Sequence, residues 1–243
     1  MRVVAVVQAR MGSTRLPGKV LELIGDRPLV LWTVATARAI ASVDQVVVAT
    51  STDRADDALA RLLADHDVPV HRGPVLDVLT RVWEAAAPYE PDYVVRATAD
   101  NPFMDPGVVT RQLRRCVDEE FDYVGTAGWP LGIAAEVARA ESLAQAYREA
   151  HDPAEREHVM PFLYARPERF RIGTALPAGP VPDARFTVDT PSDLEFARQI
   201  AARLGPVGTC SLERLGAILE AEPALAEINR NVRQKAWQEV EQR

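Results

Sequence analysis

Short β-branched runs alternate with longer amphipathic stretches along the first half of the chain, and no other feature narrows the choice of fold as much. Strands separated by helical segments of about ten residues or more are too far apart for tight hairpins, so they join as parallel strands through crossover helices. The pattern predicts an α/β protein with a mostly parallel sheet. The predicted strands are Val3–Val7, Gln45–Thr50, Val68–His71 and Tyr93–Ala97, and the predicted helices are Pro28–Ile40, Arg54–Asp65, Val75–Ala87 and Pro106–Glu119.

The regular alternation of predicted strands and helices ends after Thr126. Residues 128–182 carry a Trp-Pro turn, a predicted strand near Ala134–Val137, two helical stretches and a segment rich in proline and glycine, so we interpret them as an inserted subdomain for acceptor binding or dimerisation. No repeat or low-complexity linker divides residues 1–243, which we expect to form one domain. The remaining predicted elements are a core strand at Arg185–Val188, a helix at Pro191–Leu204, and a helical tail over 211–243 with helices at Ser211–Ala221 and 229–240.

Composition narrows the partners of this fold. The 243 residues are 47% hydrophobic, which is ample for a core, and the formal net charge is −7. An acidic molecule does not attract nucleic acid as a whole, so a polyanion must bind at a local cationic site, which favours a small phosphorylated ligand. Cys116 and Cys210 are far apart and outside metal-like spacings, and the sequence has neither a long apolar span nor a signal-peptide pattern. We therefore expect reduced thiols, no membrane partner and a cytoplasmic location.

The loop after the first predicted strand combines glycine, hydroxyl groups and three cations. It runs from Gln8 to Lys19 and includes Arg10 and Arg15. Backbone N–H groups and cations at this place suit a polyphosphate, because open α/β sheets bind ligands beyond the carboxyl ends of their strands. Lys19 is one of only two lysines in an arginine-rich chain, and a compact ammonium suits a phosphate differently from a planar guanidinium. The alternative is a set of exposed loop cations without a ligand.

Two later strand ends carry an aspartate. Asp100 follows Tyr93–Ala97 and Asp189 follows the predicted strand Arg185–Val188, each close to a proline that opens a new segment. A Mg²⁺ ion that also binds substrate phosphates needs one or two carboxylates, so the pair is a candidate metal site. Each aspartate alone is as readily explained as a helix cap or turn residue.

Further polar groups fall on the third strand and in the insertion. Arg72 ends a predicted strand and could contact phosphate, ribose or base, although a solvated turn arginine, with Asp77 in the first turn of a helix, explains it almost as well. In the insertion, Glu136 and the Arg156-Glu157-His158 run are flanked by apolar residues. From spacing alone, His158 is better explained as a hydrogen-bonded core histidine.

Two familiar phosphate motifs are absent. Gly12 and Gly18 are separated by five residues where a Walker loop needs four, and Val20 stands where that loop has Ser or Thr. No Gly-x-Gly-x-x-Gly follows the first strand, so the dinucleotide fingerprint is also missing.

The Gln8–Lys19 loop, Gln-Ala-Arg-Met-Gly-Ser-Thr-Arg-Leu-Pro-Gly-Lys, resembles the signature loop of the cytidylyltransferases that make CMP-activated sugars, such as the acylneuraminate and KDO enzymes. The branch named for spore coat polysaccharide biosynthesis (protein F) is the most similar, and the likeness spans about residues 2 to 200. The other matching segments are Arg72-Gly73, Asp77-Val78-Leu79, Asp100-Asn101-Pro102, Glu136-Val137, Arg156-Glu157-His158-Val159 and Val188-Asp189-Thr190-Pro191-Ser192-Asp193-Leu194.

The resemblance implies a nucleotide-diphospho-sugar transferase-like, Rossmann-like fold and a Mg²⁺-dependent transfer of CMP from CTP to a small, sugar-like acceptor, with release of pyrophosphate. Separately, the insertion at 128–182 predicts a homodimer. By the same resemblance, the nucleotide contacts Gln8, Ala9, Arg10, Gly12, Ser13, Arg15, Lys19, Arg72 and Asp77; Lys19, Arg10 and Arg15 are the catalytic cations; Asp100 and Asp189 bind the metal; and Glu136, Arg156 and His158 face the acceptor.

Two other functions remain open at the level of sequence. A glycosyltransferase that uses a nucleotide sugar could share this layout, although it would usually carry an Asp-x-Asp pair where this chain has Asp100-Asn101-Pro102. A non-catalytic nucleotide-binding module could keep the cationic loop but would have no need of the two aspartates.

Overall fold

A computed structural model describes residues 1–205 and 210–234. Its strands are β1 (Val3–Gln8), β2 (Leu23–Ile24), β3 (Arg27–Pro28), β4 (Gln45–Ser51), β5 (Val70–Gly73), β6 (Tyr93–Thr98), β7 (Tyr123–Gly125), β8 (Glu136–Arg139) and β9 (Ile172–Thr174). Its helices are α1 (Leu29–Arg38), α2 (Asp57–Asp65), α3 (Val78–Ala86), α4 (Pro106–Asp118), α5 (Ala140–Glu149), α6 (Pro153–His158), α7 (Pro161–Tyr164), α8 (Pro191–Leu204), α9 (Leu212–Ala221) and α10 (Ala224–Glu227). None of the helices within the described ranges is long and apolar enough to cross a membrane.

Seven strands form one sheet in the order β5-β4-β1-β6-β8-β7-β9, and β2 and β3 form a separate ribbon. Strands β4, β1 and β6 are parallel neighbours, whereas β8 is antiparallel to both β6 and β7. The predicted α/β fold with a mostly parallel sheet is confirmed. The chain runs outward from β1 through β4 to β5 and then returns to the other side of β1 with β6, so a topological switch point lies between β1 and β6. Ligands of open α/β sheets bind at such a point.

Strand β1 is buried on both faces. Val3, Ala5 and Val7 pack in the core that includes residues of α1, α2 and α4, whereas Val4 and Val6 pack in the core that includes residues of α3 and α5. A strand covered by helices on both sides needs a continuous apolar run rather than an alternating one, which is what residues 3–7 provide. A third apolar cluster contains residues of α1 and α8 together with Phe186 and Val188 of the segment 185–188.

The segment 128–182 supplies two strands to the main sheet. Strand β8 lies between β6 and β7, and β9 pairs with β7 at the sheet edge. Helices α5 and α7 contribute to the same apolar core as α3. The segment is therefore built into the sheet rather than appended to it, while its roles in acceptor binding and dimerisation stay predictions.

The predicted strand at Arg185–Val188 is wrong. These residues form no strand of the sheet; instead the Phe186 amide donates to Leu131 O at 2.8 Å and the Val188 amide donates to Asp100 O at 2.8 Å. The apolar run is buried because it packs against loops at the carboxyl edge of the sheet. It still brings residue 189 beside Asp100.

Other boundaries also differ from the predictions, including the start of α2 at Asp57 rather than Arg54 and of β8 at Glu136 rather than Ala134. Strand β5 begins at Val70, because the Val68 amide bonds Leu63 O and closes the turn after α2. Helix α3 begins at Val78, because the Asp77 side chain caps it by accepting from the Thr80 amide. In the tail, α9 matches the prediction, but residues 229–234 are not helical, and 235–243 of the predicted tail lie outside the described residues.

Candidate active site

The cationic loop leaves the sheet at the switch point. Gln8 at the end of β1 is in register with Thr98 at the end of β6, so the loop and Asp100 start from the same edge. The loop folds back on itself because the Ser13 and Gly18 amides both donate to Met11 O, at 2.9 and 3.0 Å. It borders a cavity of about 190 Å³ lined by Gln8, Ala9, Arg10, Gly12, Ser13, Thr14, Arg15, Lys19, Val20, Thr98, Ala99, Asp100 and Asp189.

Lys19 lies at the centre of this site and is 8% exposed. Its Nζ donates to Asp100 Oδ2 at 2.8 Å, to Asp189 Oδ1 at 2.8 Å and to Val188 O at 2.9 Å, so all three ammonium hydrogens have acceptors. Burial acts to lower the pKa of Lys19, but the two carboxylates outweigh it and raise the pKa above 10.5. Burial likewise acts to raise the pKa of Asp100, and the Lys19 ammonium reverses that shift and lowers it. Lys19 is therefore charged in the folded protein.

Asp189 is held from its other side by two arginines. Its Oδ2 accepts from Arg185 Nη2 at 2.6 Å and lies 3.1 Å from Arg15 Nη2. Arg185 also donates through Nε to Asp193, a fully buried carboxylate that forms a capping box with Thr190 at the start of α8. The start of α8 thus helps to orient Asp189, because Asp193 in its first turn binds both Arg185 and the Asp189 amide.

Asp56 positions the start of the loop, and the sequence analysis did not single it out. This carboxylate is 2% exposed and accepts from the Met11 amide at 2.6 Å, the Ser51 amide at 3.1 Å and the Ser51 hydroxyl. It ties the loop after β1 to the end of β4. No short motif marks such a residue, because the group that it holds in the loop, the Met11 amide, is 45 residues away in sequence.

The residues present fit a divalent cation. Oxygen atoms of Asp100, Asp189 and the Val188 carbonyl surround one position that a cation, the Lys19 ammonium, already fills. Hard oxygen ligands are those that Mg²⁺ prefers, and protein sites often supply only one or two carboxylates and leave the rest to phosphate and water. Within residues 1–205 and 210–234, no group of three or more His, Cys, Asp or Glu could hold a metal, so the aspartate pair is the candidate.

A second cavity of about 220 Å³ adjoins the first at Thr98. Its lining residues are Arg96, Ala97, Thr98, Asn101, Thr126, Trp129, Pro130, Leu131, Gly132, Ala134, Ala135 and Glu136. Glu136 accepts from Tyr123 Oη at 2.7 Å and pairs with Arg96, whose Nη2 donates to Gln8 at 2.8 Å. Burial, with Glu136 nearby, raises the pKa of the Tyr123 hydroxyl, which remains a proton donor. Glu136 thus belongs to a polar wall of the second cavity, opposite Arg96 in the sheet.

The structure places the other predicted nucleoside and acceptor residues outside the linings of these two cavities. Arg72 donates to Ser51 O and Asp53 O at 2.9 Å and pairs with Asp57. Asp77 and Arg156 pair with each other, with Arg156 Nη2 and Asp77 Oδ2 2.5 Å apart, which joins α6 to the start of α3.

Burial acts to raise the pKa of Asp77, but its hydrogen bonds to Arg156 and Thr80 outweigh burial and lower it. His158 ends α6 and lies outside both linings as well. The expected nucleoside and acceptor roles of Arg72, Asp77, Arg156 and His158 stay predictions.

Arg81 is a second residue that the sequence analysis did not single out. It is fully buried, and its Nη1 donates to Pro74 O at 2.7 Å and Val75 O at 2.9 Å, which fixes the loop between β5 and α3. Burial and the nearby Arg10 lower its pKa to about 10. A Cβ at Gly73 would lie 2.8 Å from Arg81 Cγ, so the glycine after Arg72 makes room for this side chain.

Solved structures of similar fold agree with this architecture. A cytidylyltransferase from Leptospira borgpetersenii serovar Hardjo-bovis aligns with a TM-score of 0.87 and 24% identity over 97% of this chain and all of that one. A CMP:2-keto-3-deoxy-manno-octonic acid synthetase complexed with CTP aligns with a TM-score of 0.68 and 20% identity over 84% of this chain and all of that one. The sheet order, with the cationic loop at its switch point, is that of a nucleotidyltransferase-like α/β fold.

Sequence comparison narrows this class to one family. The family model described as Cytidylyltransferase matches residues 4–224. The spore coat polysaccharide biosynthesis protein SpsF of Bacillus subtilis is 32% identical over 228 residues, which are 91% of this chain and 95% of that protein. The chain belongs to the cytidylyltransferase family, and the resemblance carried by the Gln8–Lys19 loop is confirmed.

Proposed function

We propose that this enzyme transfers CMP from CTP to a hydroxyl of a small, sugar-like acceptor and releases pyrophosphate, with Mg²⁺ as cofactor. The observation that carries the proposal is the convergence of Lys19, Asp100 and Asp189 at the wall of the cavity formed by the cationic loop. The family membership supports CTP as the donor. An acceptor in the second cavity would lie next to Thr98, which also lines the cavity proposed for the triphosphate.

The side chains of the first cavity match the charge that builds up in such a transfer. Phosphoryl-type transfer depends on positioning and on stabilising negative charge on the phosphate oxygens. Arg10, Gly12, Ser13 and Arg15 line the cavity, and its two arginines can hold a triphosphate there. Lys19 supplies a mobile point charge on a flexible stem. A bound Mg²⁺ would supply Lewis acidity at the α-phosphate and a template for both substrates.

The polar wall of the second cavity suits an acceptor rich in hydroxyl groups. Glu136 accepts hydrogen bonds, Asn101 offers both donor and acceptor atoms, and Trp129 offers an aromatic face. Glu136 pairs with Arg96 and can also accept a hydrogen bond that orients a hydroxyl. No covalent nucleophile is required, because the acceptor oxygen itself attacks phosphorus.

A pyrophosphate-release screen tests this function. CTP, UTP, ATP and GTP are each incubated with Mg²⁺ and a panel of sugars, sugar acids and phosphonates. The proposal predicts release from CTP only when an acceptor is present, and a higher Mg²⁺ requirement in Asp100→Asn and Asp189→Asn. An exposed Asp65→Asn variant serves as the control and should match the parent protein. A glycosyltransferase would release a nucleotide instead, and a binding module would release nothing; either result contradicts the proposal.

We also propose a homodimer and a cytoplasmic location. Leu131 and Leu176 are 40% and 62% exposed and both belong to the segment 128–182, which supports an apolar contact there. Sedimentation equilibrium should give twice the chain mass, and Leu176→Asp should shift it toward one chain; a monomeric parent protein would contradict the dimer. Two free, buried cysteines support a reducing compartment, which fractionation of cells checks.

A further inference from the structure

The Lys19 ammonium fills the position that a metal would take. Its Nζ lies 2.8 Å from one oxygen of Asp100 and 2.8 Å from one oxygen of Asp189, and it uses its third hydrogen on Val188 O. An ammonium with three protein acceptors at hydrogen-bond distance has no donor left for a phosphate. The same oxygens are the ones that a divalent cation would need, so the two cations cannot share them.

The surroundings let Lys19 leave while the carboxylates stay. Asp189 is held through its other oxygen by Arg185 and Arg15, and Arg185 is fixed by the buried Asp193. Lys19, by contrast, is the first residue of a short 3₁₀ helix, Lys19–Leu21, and its flexible four-carbon stem can turn toward the neighbouring cavity. Asp189 is therefore held independently of Lys19, and the ammonium is the part of the cluster that can move.

A triphosphate offers the ammonium an alternative partner. The cavity on the loop side of Lys19 is lined by the cationic side chains of Arg10 and Arg15, where a polyanion is stabilised. Once phosphate oxygens occupy that cavity, the ammonium gains acceptors there and the aspartate oxygens become available. A divalent cation that arrives alone offers Lys19 no such replacement.

We propose that Lys19 and a divalent cation compete for the Asp100–Asp189 pair, so that the protein binds metal only together with the triphosphate. The proposal rests on the proposed function only for the identity of the triphosphate. It assigns Lys19 a role in the free enzyme, as an internal cation that keeps metal out until nucleotide is bound.

Metal titrations without nucleotide test the competition directly. Free Mn²⁺ is measured by electron paramagnetic resonance in the presence of the parent protein, Lys19→Met, and the double variant Lys19→Met with Asp100→Asn. We expect Lys19→Met to bind one Mn²⁺ at least about tenfold more tightly than the parent protein, and the double variant to lose that gain. Arg198→Met, which breaks an exposed pair with Glu22, is the matched control and should bind as the parent protein does.

Equal Mn²⁺ affinity in the parent protein and Lys19→Met overturns the proposal, whether both bind tightly or neither binds. Circular dichroism checks that each variant is folded, and Lys19→Gln replaces Lys19→Met if the methionine variant fails to fold. No CTP is present, so a failure to turn over CTP leaves these outcomes unaffected.

Lysine NMR tests whether Lys19 moves only when metal and triphosphate are bound together. The chain contains two lysines, Lys19 and Lys235, so ¹⁵N-lysine labelling gives one signal of interest and one reference. We expect Mg²⁺ alone to leave the Lys19 ¹⁵Nζ shift unchanged and Mg²⁺ with CTP to move it. A shift with Mg²⁺ alone, or an unchanged Lys19 signal in CTP-saturated protein, overturns the proposal.

Discussion

Gly132→Ala should damage both stability and the candidate active site, because Gly132 lies against the segment that leads to Asp189. Gly132 has φ +95°, and a Cβ there would lie 2.7 Å from Phe186 C and 2.7 Å from Thr187 N. A left-handed backbone costs a non-glycine residue roughly 1–2 kcal/mol. Overpacking costs about 1–3 kcal/mol more, since the overlapping atoms are backbone. The free energy of unfolding should fall by roughly 2–5 kcal/mol in total.

Thermal and urea unfolding measure this loss. For a chain of this size, each kcal/mol lowers Tm by about 2–4 °C, so Gly132→Ala should melt on the order of 5–20 °C lower than the parent protein. Gly179→Ala is the control, because a Cβ at Gly179 meets nothing within 4 Å, and it should stay within about 0.5 kcal/mol. At a temperature where the variant is folded, displacement of Asp189 should also slow pyrophosphate release. Equal Tm values for the two variants would refute the reasoning.

Three further predictions concern Lys19, Asp56 and the pair of Lys19 with Asp100. Lys19→Arg should lower kcat for pyrophosphate release by about 10²–10³-fold, because a planar guanidinium cannot replace a compact point charge at the phosphate oxygens; parent-level turnover would refute this role. Asp56→Asn should raise KM for CTP and lower the free energy of unfolding by roughly 1–3 kcal/mol, as seen by urea titration against the exposed control Asp65→Asn; matching values would show that Asp56 does not position the loop. The stability lost in Lys19→Met should be constant from about pH 5 to 9 and shrink below pH 3.8 and above pH 10.5. Because the pKa of Asp100 is lowered in the folded protein, its stabilisation is complete above pH 3.8 and is lost as the pH falls. Because the pKa of Lys19 is raised, its stabilisation is complete below pH 10.5 and is lost as the pH rises. If urea titrations show that the difference in unfolding free energy between the parent protein and Lys19→Met varies between pH 5 and 9, the pair is not the cause.

The central strands could be predicted because burial on both faces leaves a continuous β-branched run in the sequence. Strands β1, β4 and β6 were all found this way. The meeting of Lys19 with Asp100 could be expected for a related reason, since segments that follow neighbouring parallel strands start from the same sheet edge. The position of Asp189 was expected from a strand that does not exist. It reaches the site because the Val188 amide bonds Asp100 O, so the residue was identified correctly through the wrong element.

Residues that act through distant backbone groups could not be predicted. Asp56 accepts a hydrogen bond from the Met11 amide, 45 residues away in sequence. Arg81 donates to carbonyl groups of a loop whose conformation depends on the whole fold. Their residue types alone are equally common on exposed helices. Helix α3 was predicted to begin at Val75 but begins at Val78, because the Asp77 side chain caps it.

The most direct test of the proposed function follows the phosphorus atoms of CTP. With CTP labelled at the α-phosphate, the label should appear in a conjugate of CMP and the acceptor; with CTP labelled at the γ-phosphate, it should appear only in pyrophosphate. Both products should require the acceptor and should fall together in Asp100→Asn. Release of γ-label as inorganic phosphate, or α-label that remains in free nucleotide while an acceptor is consumed, would contradict nucleotidyl transfer at this site.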